Sequence, residues 1–350
     1  MTRVSVDVVV PTVGRASLAA LLDALAAQAP ELPGRVIVVE DGDARSSLAR
    51  DAVPGPLLAH TEILRGARRG PAAARNIGWR ASNAEWISFL DDDVVPDRDW
   101  LERLVEDLAG LSPRVAGSQG RVRVPLPDDR RPTDWERNVA GLETAVWATA
   151  DMAFRREALT AVGGFDERFR RAFREDADIA LRLQDAGLEL VRGSRSITHP
   201  VRPARMLETV RLQAGNADDV VMSALHGREW HARAAAPRGR RRRHLVTTAA
   251  GLTALAALAL RRRRIAAAAA TIWLSETAQF AWTRVAPGPR TAREVATVVA
   301  TSVLIPPAAA YYWTAGHLRA RRLLRDAARA PQRGAPPSVS SSARNGRPEA

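Results

Sequence analysis

The residues from Trp86 to Asp93 constrain this chain more than any others. An apolar run, Trp86-Ile87-Ser88-Phe89-Leu90, goes straight into three acids, Asp91-Asp92-Asp93. Such a run reads as a buried strand of a mostly parallel sheet. Three adjacent carboxylates repel one another and gain nothing from burial unless a positive group sits among them. In open α/β sheets, ligands bind beyond the carboxyl ends of the strands. Hard divalent cations commonly lie between carboxylates and a substrate's phosphates. Two readings follow: a metal–diphosphate site at Asp91 and Asp93, or a solvated acidic turn.

The flanking sequence continues the α/β pattern. Val4 to Val10 is strand-like and is broken by Pro11-Thr12-Val13-Gly14-Arg15. Ser17 opens a helix to about Gln28, with Leu18, Leu21, Leu22 and Leu25 at helical spacing. Arg35 to Val39 is a second strand, ended by Glu40-Asp41-Gly42-Asp43. Strand, helix and strand in this length make a βαβ unit and a parallel sheet. Asp41 is placed either to accept hydrogen bonds from a nucleoside or to serve as a turn acid. Arg65 to Gly70 is a basic loop before a helix opening at Pro71, and a helix N-terminus beside arginines is a ready anion site. Pro96 and Asp97 introduce a helix with an apolar stripe from Trp100 to Leu108, and Val115 to Val124 is strand-like. Trp135 and Trp147 either line an acceptor cleft or are ordinary packing. Asp151 sits in the apolar stretch Ala148–Phe154, and Gly163–Glu167 is a tight turn. Asp176 falls at a helix start, where the dipole favours an ionised carboxylate. That suits a base, although an N-cap is the plainer reading. Leu188 to Val191 is a short last strand, and His199-Pro200 closes the globular part.

Taken in order, these pieces resemble an inverting family 2 glycosyltransferase of GT-A fold. The matching segments are Val8–Thr12, Val38–Gly42, Arg65 with Gly70–Asn76, Phe89–Asp93, Met152–Arg156, Gly163–Glu167 and Glu175–Asp178, across roughly residues 4–200. The resemblance implies a GT-A (Rossmann-like), mostly parallel sheet flanked by helices. It implies that Pro11, Thr12, Arg15, Asp41, Arg65, Asn76, Asp91 and Asp92 serve the donor nucleotide. Asp93 and Asp91, with His199, would hold a divalent metal, Mg2+ or Mn2+. Asp176 matches the catalytic base, and Asp151, Trp147 and Glu175 fall on the acceptor side. The donor would be a UDP-, dTDP- or GDP-linked sugar. The chemistry is consistent: a cation neutralises the departing diphosphate, and a carboxylate opposite it deprotonates the acceptor hydroxyl. Two departures stand out. Glu40 replaces the usual first acid before Asp41, and Ala150-Asp151 replaces a Gly-Asn pair.

Composition divides the chain. Residues 231–350 hold 21 Arg against four acids, a balance of +17, whereas residues 1–230 are slightly acidic. No Lys occurs anywhere. The Arg clusters alternate with apolar stretches and lack interleaved aromatic platforms, which favours an anionic membrane over nucleic acid as partner. Leu245–Leu260 is short for a span. The positive-inside rule favours Ile265–Trp282 and Val295–Gly316 as an out-and-back hairpin, with Pro306-Pro307 kinking the second. An interfacial helical bundle is the competing arrangement. The expected divisions are a catalytic domain at 1–205, a helical linker at 206–239, an all-helical, hydrophobic membrane-associated region at 240–330 and a disordered end at 331–350. With Cys 0, disulfides and thiol chemistry are excluded. Val4–Val10 is too short for a signal peptide and contains Asp7, so the catalytic part is expected in the cytoplasm, at the cell membrane, with a lipid-linked or envelope glycan as acceptor. A nucleotidyltransferase and a membrane-tethered nucleic-acid-binding protein are the alternatives.

Overall fold

The computed structural model describes residues 4–43 and 53–329; the expected disordered end at 331–350 lies outside them. The chain begins β1 (Val6–Thr12), α1 (Ser17–Ala26), β2 (Val36–Glu40), β3 (Thr61–Arg65), α2 (Pro71–Ala81), β4 (Trp86–Leu90). It continues β5 (Val95–Pro96), α3 (Trp100–Leu108), β6 (Val115–Arg123), α4 (Asp134–Ala140), β7 (Asp151–Arg155), α5 (Arg156–Val162), α6 (Glu175–Asp185) and β8 (Glu189–Thr198).

The strands form one eight-stranded sheet in the order β3-β2-β1-β4-β7-β6-β8-β5. β3, β2, β1 and β4 run parallel, as the βαβ pattern requires. β7 runs antiparallel to both β4 and β6, and β5 runs antiparallel to β8, so the sheet is mixed. β6 and β8 also pair in parallel, so four of the seven pairings are parallel and the expected mostly parallel sheet carries antiparallel neighbours around β7 and at β5. The connection from β6 through α4 returns β7 alongside β6 in the opposite direction, without a crossover. Two further differences concern β3, for which no strand is expected from the sequence, and β8, which runs ten residues rather than four.

Every position of β1, β2 and β4 is buried, and successive side chains alternate between the two faces. Val8, Val10, Val36 and Val38 pack with Leu21, Leu25, Trp86 and Trp100 on one face. Val9, Ile37, Val39, Ile87 and Phe89 pack with Trp79, Phe154 and Ile179 on the other. A sheet covered on both faces needs continuous apolar runs, which explains the valine-rich strands. On the second face Phe89, Phe154 and Phe165 meet edge to face at 5.2 to 6.2 Å. At Gly78 a Cβ would lie 2.3 Å from Val9, so only glycine lets α2 approach β1 this closely.

Three short helices follow, α7 (Glu208–Arg211), α8 (Asn216–His226) and α9 (Trp230–Arg233), and then α10 (Arg241–Ala259), α11 (Arg263–Val285) and α12 (Ala292–Arg329). α12 continues through Pro306 and Pro307. Among the described residues one helix, Ala292–Arg325, is long and apolar enough to cross a membrane. The out-and-back hairpin expected of Ile265–Trp282 and Val295–Gly316 is not how these helices lie. The turn between them rests on α4: Arg284 pairs with Asp134 at 2.7 Å, and the Asp134 N–H donates to Glu294 at 2.7 Å. That turn is therefore on the same side as the sheet domain, not across from it.

Candidate active site

Strand register brings the chemistry to one edge. Thr12 pairs with Glu40, and Glu40 with Arg65, so the carboxyl ends of β1, β2 and β3 lie side by side. β4 ends next to them and delivers Asp91–Asp93.

The three acids have three different environments. Asp91 is partly exposed and takes the Arg75 guanidinium at 2.7 Å. Asp92 points inward, accepting from the Thr12 hydroxyl at 2.6 Å and from Arg15 at 2.7 Å. Asp93 is buried, lies 3.5 Å from His199 Nε2 and pairs with Arg202 at 2.9 Å. Burial, then the nearby Asp91, pushes the Asp93 carboxyl above the usual carboxylate range, with His199 and Arg202 opposing.

Arg75 organises the site. It is 1% exposed, on the first turns of α2, and its other terminal nitrogen donates to Glu175 at 2.8 Å. One guanidinium therefore joins the acids after β4 to the acids that open α6. Bidentate bridging of this kind suits arginine and not lysine. Burial drives the Glu175 carboxyl up to about 7, even though Arg75 pulls it down. Glu175 Oε2 is buried and has no hydrogen-bond partner among the described residues. Beside it, Asp176 is raised by burial, opposed by the Ala177 N–H that it accepts at 2.7 Å and by Arg75 and Arg174. Burial therefore works against the helix dipole, which favours the ionised carboxylate. Arg174 precedes this pair with φ at +76°, an uncommon conformation for a side-chain-bearing residue. It is held there by Asp219 of α8 at 2.7 Å and by the rings of Phe173 and Trp230.

Other predicted residues are committed elsewhere. Asp41 accepts the Gly70 N–H at 2.7 Å and the Arg69 N–H at 3.3 Å, fixing the basic loop to the end of β2. Gly70 has φ of +96°, and a Cβ there would lie 2.4 Å from the Arg170 carbonyl oxygen, so the loop needs glycine. Pro11 and Thr12 are buried in β1, and of the three residues expected from that segment only Arg15 is exposed. Arg65 is exposed and lies 3.2 Å from Glu40, whose buried carboxyl is raised by desolvation.

Two expectations are corrected. Asn76 donates to the Phe165 carbonyl at 2.8 Å and accepts from the Trp79 indole and the Phe165 N–H, both at 2.9 Å. It is 1% exposed and ties α2 to the Gly163–Glu167 turn, so it is not free to touch a nucleotide. Asp151 is 0% exposed, with Arg195 at 2.8 Å and the Trp100 indole at 2.9 Å. It joins β7, β8 and α3 inside the fold, where no acceptor reaches it. Trp147 is half-buried against the Phe89 face.

Arg75, Arg174, Arg195 and Arg202 did not figure as site residues in the sequence reading. The basic residue of Ala74-Arg75-Asn76 was visible, but nothing in spacing shows that it faces Glu175, 100 positions away. Arg202 is three positions beyond His199, and Trp135 of α4 holds it by donating to its carbonyl oxygen at 2.8 Å.

For a metal, no three ligating side chains converge among the described residues. Asp93 and His199 stand together, and His199 Nδ1 is buried without a partner. Carboxylate oxygens and an imidazole suit a divalent ion that takes its remaining ligands from water and phosphates. A cation would also offset the burial and the nearby Asp91 that raise the Asp93 carboxyl. The residues present fit such an ion.

Residues 7–176 match the glycosyl transferase family 2 profile. The chain is 34% identical over 174 residues to a pre-mycofactocin glycosyltransferase of Mycobacterium tuberculosis, an alignment covering 45% of this chain and 35% of that protein. It is 27% identical over 211 residues to glycosyltransferase AglE of Haloferax volcanii, covering 57% of this chain and 67% of that protein. The chain thus spans about a third of the length of the mycobacterial relative. Among solved structures, S. aureus TarS 1-349 in complex with UDP aligns with 62% of this chain and 65% of its own at 15% identity and a TM-score of 0.40. GalNAc-T7 with UDP, GalNAc and Mn2+ aligns with 65% of this chain and 52% of its own at 14% identity and a TM-score of 0.46.

Proposed function

Residues 7–176 are a glycosyl transferase family 2 domain, and from that premise we propose that the chain moves a sugar from a nucleotide-sugar donor to an acceptor hydroxyl, with inversion. One observation carries this reading: Arg75 holds the acids after β4 and the acids opening α6 on one buried bridge, at 2.7 and 2.8 Å. A cleft with an acid cluster on each wall is what a single displacement needs, with a leaving group on one side and a base on the other.

In this mechanism Asp41 and Arg65 border the base and ribose, Arg15 borders the diphosphate, and Asp91 lies towards the ribose. Asp93 and His199, with Asp91 beside them, would hold Mg2+ or Mn2+. A divalent cation there would neutralise charge on the departing diphosphate. Asp176 takes the proton from the acceptor hydroxyl. Its raised carboxyl pKa makes it a stronger base once ionised, and brings it closer to the working pH of a general base. Glu175 positions Arg75 and flanks the acceptor side with Trp147. Arg174, held by α8, sets the backbone from which Asp176 projects.

The acceptor reading is a lipid-linked or envelope glycan, with the catalytic domain on the cytoplasmic face of the cell membrane. The basic, apolar C-terminal helices support it. The test is Asp176→Asn. Sugar transfer should fall by at least about 100-fold, the scale of general-base contributions. Nucleotide binding should stay within about twofold, because the base does not touch the donor diphosphate. Transfer at the wild-type rate would remove Asp176 from the role.

A further inference from the structure

We propose that α10, α11 and α12 anchor the protein to one leaflet of an anionic bilayer without crossing it. α10 and α11 insert as an antiparallel hairpin, and α12 lies in the membrane plane as a brace. This rests on the membrane reading above and specifies its geometry.

α12 is long and apolar enough to span a membrane, yet both of its ends are fixed to the sheet domain and the helices that follow it. At the first end Glu294 accepts from the Asp134 N–H of α4 at 2.7 Å. At the other, Arg319 pairs with Asp218 of α8 at 2.7 Å and donates to the Arg168 carbonyl. Gly316 there meets Ala217 so closely that a Cβ would lie 2.8 Å from its Cα. Glu294 and Arg319 are 25 residues apart, about 37 Å along a helix. A helix pinned at both ends to one water-soluble body cannot pass through a bilayer lying on one side of that body. The two pins also connect to the two acid groups of the site. Asp134 belongs to α4, whose Trp135 holds Arg202 against Asp93. Asp218 belongs to α8, whose Asp219 holds Arg174 before Asp176.

α10 and α11 differ, since they pack on each other and on α12 and run out to an exposed turn at Arg261–Arg264. Leu252, Leu255, Leu258 and Leu260 are 63–72% exposed along the outer part of α10. Ile265 and Ile272 are exposed on α11. Arg243 pairs with Glu276 at 2.9 Å, which removes the lone acid from the apolar surface. Both ends of the hairpin are basic, with Arg240–Arg243 at the base and Arg261–Arg264 at the tip. A second copy would therefore set arginine against arginine in either parallel or antiparallel packing. A layer of anionic headgroups instead satisfies both clusters at once when the hairpin lies along it, and its leucines then enter the acyl boundary. Standing upright, the hairpin would have to carry four guanidinium groups across the bilayer, against the positive-inside bias.

The absence of cysteine permits a direct test on the full chain. Vesicles of phosphatidylcholine with 30% phosphatidylglycerol (a test composition, ~0.3 mole fraction, chosen to give an anionic surface) are added to purified Arg262→Cys and Leu255→Cys proteins. Expected are co-flotation with these vesicles and at least tenfold weaker co-flotation with phosphatidylcholine alone. An impermeant maleimide should label Arg262→Cys to the same extent before and after detergent. An environment-sensitive dye on Leu255→Cys should shift to the blue on vesicle addition. Labelling of Arg262→Cys only after detergent would overturn the one-leaflet geometry while keeping the membrane reading. Absence of flotation with either vesicle would overturn the membrane reading itself. A dye shift that grows with protein concentration without vesicles would assign the leucines to a second copy and overturn the proposal.

Discussion

Replacing Arg75 by Met tests the bridge on which the site depends. Arg75 is 1% exposed and makes two charge-assisted bonds, at 2.7 Å to Asp91 and 2.8 Å to Glu175. Methionine keeps much of the volume, so the cavity cost is small and the loss is electrostatic. Breaking a buried pair by removing one partner costs about 3–5 kcal/mol, because the other charge is left uncompensated. Glu175 is the exposed liability here, as it is buried with Oε2 already unpartnered. The sign with pH follows from its carboxyl, which titrates at about 7 with Arg75 present. Above that pH the wild-type Glu175 is ionised and bridged, and the variant must either protonate it or bury it unpaired. As pH falls towards 5, wild-type Glu175 takes up a proton and its ion pair weakens, so the difference shrinks, to roughly 1–3 kcal/mol. Urea denaturation followed by tryptophan fluorescence at pH 8 and pH 5 measures both. The double variant Arg75→Met/Glu175→Gln should recover at least about 1 kcal/mol at pH 8, since contacting residues couple on this scale. A cost for Arg75→Met below about 1 kcal/mol at pH 8, or the same cost at both pH values, would refute the reasoning.

Glu175→Gln alone should flatten the pH dependence of stability. A raised carboxyl pKa means that the folded chain binds more protons than the unfolded one between about 4.5 and 7, so wild-type stability falls as pH rises through that window. A variant whose stability slopes as steeply as the wild type would remove Glu175 as its source. Gly70→Ala should destabilise by about 1–3 kcal/mol through its positive φ and the clash with Arg170, as read by thermal unfolding. Unchanged unfolding would show that the loop tolerates a Cβ there.

Local pattern revealed much of this architecture. The valine runs of β1 and β2, the leucine spacing of α1 and the Phe89–Asp93 strand end are short-range signals and locate these elements, although β1 continues through Pro11 and Thr12, where the proline is expected to break it. What the pattern could not supply was pairing. β7 is antiparallel because of where a 27-residue connection from Arg123 returns the chain, and period-two alternation carries no direction. The same holds within the site. Asp91 and Asp176 were readable as acids at element ends, but the bridge through Arg75 joins positions far apart in sequence. Asn76 and Asp151 are assigned to ligands by the family resemblance alone. Both instead satisfy neighbouring polar groups, Asn76 the turn at Phe165 and Asp151 the buried Arg195. Burial raises the Asp176 carboxyl against the helix dipole, and no local pattern shows that the helices of residues 208–233 pack beside α6.

The central claim is that Asp93 and its neighbours bind a nucleotide-sugar diphosphate together with a divalent ion. Thermal unfolding in the presence of UDP-, dTDP- and GDP-linked sugars, each with and without Mn2+ or Mg2+, addresses it most directly. One nucleotide class should stabilise the chain only when the metal is present, and Asp93→Ala should lose that stabilisation while folding normally. Stabilisation by none of the three classes, or full metal-dependent stabilisation of Asp93→Ala, would contradict the account.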